Sequence, residues 1–413
     1  MWDDYNLQSK DKFLGIAPDA EIVNIKVGSH DGAVDVSQVI AAIDWVVQHQ
    51  YDSGMNIRVL NLAYGTEALQ PYELDPLAQA VEKAWLAGIV IVVAAGNDGN
   101  AAPLRNPAFD PYVIAVGSAQ YGDTNVSSNA LVKYDQVSAF SNCGIARNVD
   151  LVAPGRSITS LRVPGSNADD NNPQARVGAD YFLGSGTSQA AAIVSGAVAI
   201  LLQRDEGLSP DDVKQYLMDN ASPIADVSSE CQGAGVVDMG FLGKGKLDRL
   251  RGKQDHVLSD GSGSLELSRG GEHLEMDGAL LQGEQDIMGS QWFGFNRLET
   301  KCWKEGKGKT AVTVCEDVLV PTDTLWSGGD WNGTSWSGTS WSGTSWSGTS
   351  WSGTSWSGTS WSGTSWSGTS WSDKTWNGTS WSGTSWSGTS WSGTSWSGRN
   401  WTGLSWGNNL LAL

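Results

Sequence analysis

Residues 15–117 alternate between short runs of β-branched residues and segments with the apolar spacing of a helix. Such alternation is typical of β/α units, in which a helix connects two strands of a parallel sheet. Strands are predicted at 22–27, 57–62, 89–94 and 112–116. Between the first two, an apolar stripe predicts a helix capped by Asp35, and a second helix is predicted over 76–87. The sequence therefore predicts an α/β fold, a parallel sheet flanked by helices.

Two further helices are predicted after a polar loop at 163–180. The run 189–203 is apolar nearly all round, which predicts a helix buried on all sides. Ser209 opens the next helix, with Pro210 in its first turn, and this helix ends near residue 220. We place the whole globular part at 1–242.

Composition argues against several classes of function. The net charge of -19 disfavours a nucleic-acid partner, because phosphate contacts require clustered Lys and Arg. The four cysteines lack the spacing of a zinc site, so we expect no metal and no other cofactor. The longest apolar runs are shorter than the roughly 20 residues of a membrane span. The first residues also lack the basic and apolar regions of a secretory signal peptide.

Three short motifs could carry chemistry. In the first, a small-residue loop delivers Ser188 to the start of the apolar helix, where free N–H groups would stabilise an oxyanion, although Ser188 also fits a plain helix cap. In the second, Asn97 follows a predicted buried strand and could donate its amide to that oxyanion, or form an ordinary Asn-Asp-Gly turn. In the third, a strand ends at 63–65, where an extended peptide could pair, or where the chain simply enters a loop.

In this order the motifs resemble those of the subtilase family of serine proteases. The family's substrate strand matches Ala63, Tyr64 and Gly65, its Ala-Ala-Gly-Asn segment matches Ala94, Ala95, Gly96 and Asn97, and its Gly-Thr-Ser motif matches 186–188. The segments 15–20, 106–108, 113–117 and 151–155 also resemble segments of the family, so the resemblance covers roughly residues 13–220. It implies an extracellular or cell-wall-associated endopeptidase of protein or peptide substrates. Ser188 would be the nucleophile and Asn97 the oxyanion donor, and the segments at 63–65 and 94–96 would bind substrate.

The chain departs from the family in two places. After Ser188 it reads Gln-Ala-Ala-Ala-Ile, where the family has Met and a Pro-His pair. The family's Asp and His motifs precede the segment that 15–20 resembles, and the four histidines here lack the family's Gly-Thr-His pattern. We expect surface or structural roles for these histidines, which are His30, His49, His256 and His273. Because Ser188 without a base is a weak nucleophile, we expect this chain alone to be inactive, with His and Asp supplied by a further N-terminal part.

Arg105 lies just before 106–108, which resemble the floor of the family's pocket for the residue preceding the scissile bond. If the guanidinium group points into that pocket, the resemblance implies a preference for an acidic or small residue there. The alternative is that Arg105 lies in solvent.

Two segments follow the globular part. Residues 243–325 are Gly-rich and charged, which predicts a small β extension or linker with hairpin strands near 264–267 and 311–314 and a disulfide between Cys302 and Cys315. Residues 326–413 repeat Trp-Ser-Gly-Thr-Ser, with Trp at every fifth position from Trp326 to Trp406. This tail is interpreted either as a solenoid whose Trp rows bind a cell-wall polymer or as a disordered spacer. The alternative function is accordingly that of a non-catalytic surface protein that binds polymer through its tail.

Overall fold

The structure is a computed structural model. It describes residues 15–28, 32–121, 134–240, 252–271, 273–276, 279–287, 291–293, 296–305, 312–321, 335–337, 340–357, 360–376, 380–391 and 397–406. The chain divides into two compact units. The first comprises Met1–Val23, Tyr51–Gly65 and Trp85–His256, and the second comprises Asn24–Gln50, Thr66–Ala84 and Val257–Leu413.

A mostly parallel sheet is the centre of the first unit. Its strands are β1 (Val59–Leu62), β2 (Val90–Ala94), β3 (Ile114–Tyr121), β4 (Tyr134–Val137) and β5 (Leu151–Pro154). The strand order is β1-β2-β3-β4, with β5 also paired to β3, and only the β3–β4 pair is antiparallel. Every residue of β2 is buried, as expected for a parallel strand covered on both faces. The predicted α/β fold with a parallel sheet is confirmed.

The predicted strand at 22–27 does not form. Ile22 has 87% of its surface exposed, and the structure assigns no strand to this segment. β-branched residues favour extended backbone, but a strand also requires a neighbouring strand to satisfy its N–H and C=O groups. Among the described residues no strand pairs with 22–27.

Helix α4 (Thr187–Arg204) packs on β1, β2, β3 and β5. The prediction that this helix is buried on all sides is wrong. Its buried residues, such as Ala190, Val194 and Leu201, recur every three or four positions and form one face, whereas Ala192 is exposed. Helix α5 (Pro210–Asp219) starts at the predicted cap, where Ser209 and Asp212 form a reciprocal capping box. A short helix, α6 (Ser229–Gln232), follows.

The predicted polar loop at 163–180 has structure of its own. It contains α3 (Asn167–Asn171) and β7 (Arg176–Val177), and β7 joins β6 (Ile158–Leu161) and β8 (Tyr181–Gly184) in an antiparallel sheet of order β6-β8-β7. The buried carboxylate of Asp169 holds this segment by ion pairs to Arg162 and Arg176, with N···O distances of 2.6 and 2.8 Å. These two arginines lower the pKa of Asp169.

Lys214 of α5 is buried and makes five polar contacts. Its Nζ atom donates to the carbonyl oxygens of Pro111 at 2.5 Å and Val113 at 3.0 Å, and lies 3.3 Å from a carboxylate oxygen of Asp150. The carbonyl of Tyr112 and the side chain of Gln254 complete the set. Burial lowers the pKa of Lys214 to about 8, because removal from water disfavours the charged ammonium.

The second unit contains helices from the first part of the chain and from the segment that follows the globular part. They are α1 (Val36–Gln48), the part of α2 (Pro76–Leu86) up to Ala84, and α7 (Leu265–Arg269). Asp35 caps α1 in a capping box with Gln38, which confirms the predicted cap. The stretch predicted as a hairpin strand at 264–267 instead begins α7, because the side chain of Ser264 accepts the Leu267 N–H and caps a helix.

Two hairpins and the repeat strands complete the second unit. Strands β9 (Glu275–Met276) and β10 (Ala279–Leu280) pair antiparallel, as do β11 (Asn296–Glu305) and β12 (Val312–Pro321). Cys302 lies opposite Cys315 in the latter pair and forms the predicted disulfide, which is thereby confirmed. The repeats form a parallel sheet of β13 (Ser335–Ser337), β14 (Ser340–Ser357), β15 (Ser360–Trp376), β16 (Ser380–Trp391) and β17 (Ser397–Trp406). None of the described helices has both the length and the apolar character needed to cross a bilayer.

Candidate active site

Ser188 lies in the first turn of α4, in the first unit. The helix begins directly after Gly186, and Ser188 is half-buried. A Cβ atom at Gly186 would lie 2.7 Å from the side-chain oxygen of Gln189 and 3.7 Å from Nδ2 of Asn97. Glycine therefore leaves room for the Gln189 side chain, and the Asn97 amide lies at ordinary contact distance from this position. The arrangement places a hydroxyl group beside the positive end of a helix dipole.

Asn97 follows β2 and is exposed, as the sequence predicted for a residue beyond the carboxyl end of a parallel strand. Its backbone path depends on Gly96, which has a φ of 118° and whose added Cβ would meet the Asn142 side chain at 2.4 Å. A left-handed backbone and this close approach both require glycine. The turn is thus shaped by tertiary contacts as well as by its own sequence.

Thr187 fixes the orientation of the Asn97 side chain. The Thr187 N–H donates to Oδ1 of Asn97 at 2.8 Å, and the Thr187 hydroxyl lies 3.1 Å from the same oxygen. The hydroxyl also contacts the Gly96 backbone N–H at 3.2 Å. Because the Asn97 oxygen is engaged as an acceptor, the amide nitrogen is the side of Asn97 that can donate to a ligand. The sequence motif did not reveal this role of Thr187.

Asp98 is held by Asn142 and Arg105. The guanidinium group of Arg105 makes two contacts with the Asp98 carboxylate, at 2.7 and 2.6 Å. The Asn142 amide nitrogen donates to the same carboxylate at 3.0 Å, and the Asn142 side-chain oxygen accepts the Asp98 N–H at 2.7 Å. Hydrogen bonding from Arg105 lowers the pKa of Asp98 to about 2. The residue next to Asn97 is therefore ionised and anchored on both sides at neutral pH.

The segment at 63–65 lies close to Arg105. A Cβ atom at Gly65 would be 2.7 Å from Cβ of Arg105, and one at Gly96 would be 2.8 Å from its Cγ. The stem of Arg105 thus packs against glycines of both predicted substrate segments. Ala63 is exposed, whereas Tyr64 is half-buried.

Ala94 and Ala95 are buried, so their side chains do not face solvent. The Ala95 N–H donates to the Val116 carbonyl, and its carbonyl accepts the Arg105 N–H, both at 3.0 Å. The backbone of this residue is consequently occupied by the sheet and by the following loop. Of the second predicted substrate segment, Gly96 lies nearest to Asn97.

The described histidines are engaged in local contacts. His49 ends α1, stacks on Trp45 and lies 2.8 Å from its carbonyl oxygen. His256 packs edge-on against Tyr112, and His273 contacts Glu266 at 2.8 Å. His30 lies outside the described residues. Within the described part of the chain, no cluster of His, Cys, Asp or Glu has the arrangement of a metal site.

Comparison with known proteins supplies independent information. The model of the subtilase family matches residues 5–254. Serine protease AprX of Bacillus subtilis (strain 168) is 35% identical over 238 residues, covering 56% of this chain and 53% of the relative. Subtilisin-like protease 2 of Trichophyton equinum is 33% identical over 213 residues, covering 51% of this chain and 43% of the relative.

Among solved structures, a cold-adapted subtilisin-like serine proteinase matches at 30% identity with a TM-score of 0.39, covering 54% of this chain and 67% of that one. The chain spans about half the length of the curated relatives that it matches.

Proposed function

The chain belongs to the subtilase family, and on that premise we propose that it is part of a subtilisin-type serine endopeptidase acting on protein or peptide substrates. The observation that carries the proposal is the placement of Asn97. Its side-chain oxygen accepts hydrogen bonds from the N–H and the hydroxyl of Thr187, and its amide nitrogen lies near Gly186, the residue before α4. An oxyanion site requires such a pre-oriented donor next to the nucleophile.

In the proposed reaction, Ser188 Oγ attacks the peptide carbonyl carbon and its proton passes to a base. The carbonyl oxygen becomes an oxyanion, which accepts hydrogen bonds from the Asn97 amide and the Ser188 N–H. Collapse of this intermediate breaks the peptide bond, and the leaving amine takes the proton. Water then releases the acyl group from Ser188 by the same route.

The base is proposed to be a His oriented by an Asp, as in the family, supplied by sequence upstream of the segment at 15–20. The three described histidines make local contacts instead, with Trp45, Tyr112 and Glu266. We therefore propose that this chain alone does not hydrolyse peptides at a biologically relevant rate. Subtilisin itself, the known case of this effect, loses roughly six orders of magnitude in turnover without its base.

Substrate would bind as an extended strand beside 63–65, where Ala63 is exposed. The segment at 94–96 would form the other wall without backbone pairing, because the backbone groups of Ala95 and Gly96 are engaged within the chain. Arg105 is proposed to line the pocket for the residue before the scissile bond, because its stem packs against both Gly65 and Gly96. The positive charge of Arg105 is compensated by its ion pair with the Asp98 carboxylate.

The test compares four proteins on casein: this chain, the chain with its upstream coding sequence restored, and the Ser188→Ala variant of each. We expect serine-dependent cleavage only in the restored protein. A matched Thr187→Val variant should lower kcat with little change in KM, because Thr187 orients Asn97 without being proposed to touch substrate. Serine-dependent cleavage by the short chain at the restored protein's rate would contradict the proposed lack of a base.

A second candidate function rests on the Trp repeat, which holds 17 of the chain's 22 tryptophans. A surface-located, non-catalytic protein whose tail binds a cell-wall polymer would make use of such aromatic repeats. Both candidate functions assume the same division of the chain, into 1–242, 243–325 and 326–413. Both also assume an extracellular or cell-wall location. Sedimentation of the chain with purified cell walls, with and without residues 326–413, tests the second candidate.

A further inference from the structure

The repeat strands pair at more than one register. Ser340 lies opposite Ser360 and Ser360 opposite Ser380, which are shifts of 20 residues along the chain. Between β16 and β17 the shift is 15 residues, since Ser382 lies opposite Ser397. Both shifts are multiples of the five-residue repeat. Each therefore places like residues opposite one another, as in the pairs of Trp366 with Trp386 and of Trp386 with Trp401.

Because of this repetition, the sequence does not distinguish between strand pairings whose registers differ by a multiple of five residues. In most sheets a wrong register puts apolar residues on the wrong face and is thereby rejected. Here a shift of the register by five residues places the same residue types opposite one another along nearly the whole strand. The same pairing is equally available to a strand of another molecule, because a backbone ladder does not distinguish chains.

Within the described residues, the strands at the two ends of the sheet have a partner on one side only. The strand order runs from β13 to β17, so that β17 pairs only with β16 among the described strands. At the other end, β13 pairs with the last residues of β14, and the described partners of Ser342 and Ser347 are in β15 alone. Among the described strands, both ends of the repeat sheet therefore have backbone N–H and C=O groups without a strand partner.

The tail has few of the devices that block sheet edges, although Arg399 lies in β17. Natural edge strands carry charges, Pro or bulges that prevent pairing with another chain. The last proline of this chain is Pro321, before the repeats begin. The charged residues from Trp326 onward are Asp330, Asp373, Lys374 and Arg399, which sum to zero. No net repulsion thus opposes contact between tails, although the chain as a whole carries a charge of -19.

We propose that the repeat tail is a self-association module whose partner is the tail of a second copy of this chain. The open edge at β17 of one copy pairs in parallel with the open edge at β14 of the next. The two edges are different surfaces, so the contact does not close on itself and adds copies end to end. Association would concentrate the upstream domains along the assembled sheet. This inference does not depend on the proposed protease activity.

The test uses full-length chains with charges at the two edges. The edge-Lys variant carries Ser342→Lys, Ser347→Lys, Ser397→Lys and Thr402→Lys, and the edge-Glu variant carries Glu at the same positions. Each of these residues follows a Trp, so the repeat brings them opposite one another across the proposed contact. A control variant carries four Lys at exposed sites outside the tail, namely Asn167, Gln174, Gln215 and Ser229.

Sedimentation velocity at low salt is the readout. The native chain and the control variant should form concentration-dependent assemblies, whereas edge-Lys and edge-Glu alone should remain monomeric through like-charge repulsion. An equimolar mixture of the two edge variants should assemble again, and fibre diffraction of the assemblies should show a spacing of about 4.8 Å.

Three results would overturn the proposal. They are a native chain that remains monomeric, edge variants that assemble singly as well as the native chain, and a mixture that remains monomeric although the native chain assembles. The first would show that the tail does not associate. The second would show that the contact lies elsewhere than at these edges. The third would show that the β17 edge of one copy does not face the β14 edge of the next.

Discussion

Arg269 is a fully buried charged residue of the second unit, and its replacement tests whether 257–287 is part of a packed structure. Its guanidinium group contacts Asp35 at 2.6 Å, Glu266 at 3.0 Å and the Gly283 carbonyl at 2.6 Å, and donates to the Gln285 carbonyl. The side chains of Arg269 and Asp35 are each 1% exposed. One side chain thus joins the cap of α1, α7 and the chain that follows α7.

The Arg269→Met variant should lower the free energy of unfolding by about 3–5 kcal/mol. This is the usual cost of removing one partner of a buried ion pair, because the remaining charge loses its compensation. Here the remaining charge is the Asp35 carboxylate, whose other partners are neutral donors of the α1 cap, such as the N–H and hydroxyl of Ser37. Urea denaturation of the full chain, followed by fluorescence, measures the loss.

Two controls make the result specific. Lys253→Met breaks the exposed pair with Asp255, whose side chains are 77% and 75% exposed, and should leave stability nearly unchanged. The double variant Asp35→Asn with Arg269→Met should recover part of the loss, since no unpaired charge remains. A loss for Arg269→Met as small as that for Lys253→Met would refute the reasoning that this pair is buried and structural.

Three further predictions concern the first unit. Lys214→Met should change the pH dependence of stability: because the pKa of Lys214 is lowered to about 8, the native chain gains up to about 3 kcal/mol relative to the variant as pH rises from about 8 to 10.5. Denaturation curves across this window check the sign. Asn142→Ala should cost about 2–3 kcal/mol and speed hydrogen exchange at the Asp98 amide, because its buried hydrogen bonds are lost. Replacing Cys143 and Cys231 by Ser should cost about 4.6 kcal/mol in the chain-entropy estimate, since their disulfide spans 88 residues, and calorimetry should show a lower Tm.

Local patterns predicted the elements of this fold best. The buried strand β2 is a continuous apolar run, and the caps at Asp35 and Ser209 are residue types that accept N–H groups at helix starts. The failed strand at 22–27 shows the limit of such patterns. Its residues favour extended backbone, but pairing depends on a partner that local sequence does not specify. The stretch after Ser264 likewise has no clear helical or strand periodicity in its apolar residues. It forms a helix whose first turn is capped by the Ser264 side chain.

For the candidate site, motifs of adjacent residues led to Asn97 and Ser188, and the roles of these two residues stay predictions. Asn142 was missed because it lies far along the chain from the loop it holds, and its role depends on its distance to Gly96 and Asp98. The Cys143–Cys231 disulfide was missed for the same reason. Cysteine counts restrict possible pairings, but only the fold brings two distant thiols together.

The final prediction concerns specificity in the catalytically competent protein, and it turns on the charge of Arg105. In isolation this guanidinium would favour an acidic substrate residue, but here Asp98 already pairs with it in two contacts. A substrate carboxylate must compete with Asp98, whose low pKa keeps it ionised throughout the neutral range.

Asp98→Asn would remove that competitor and should raise kcat/KM for peptides with Glu before the scissile bond relative to Gln, by less than about tenfold because the pair is partly exposed. Arg105→Gln should abolish the gain in the Asp98→Asn background. A peptide library in which Asp98→Asn leaves the Glu-to-Gln ratio unchanged would show that Arg105 does not face the bound substrate.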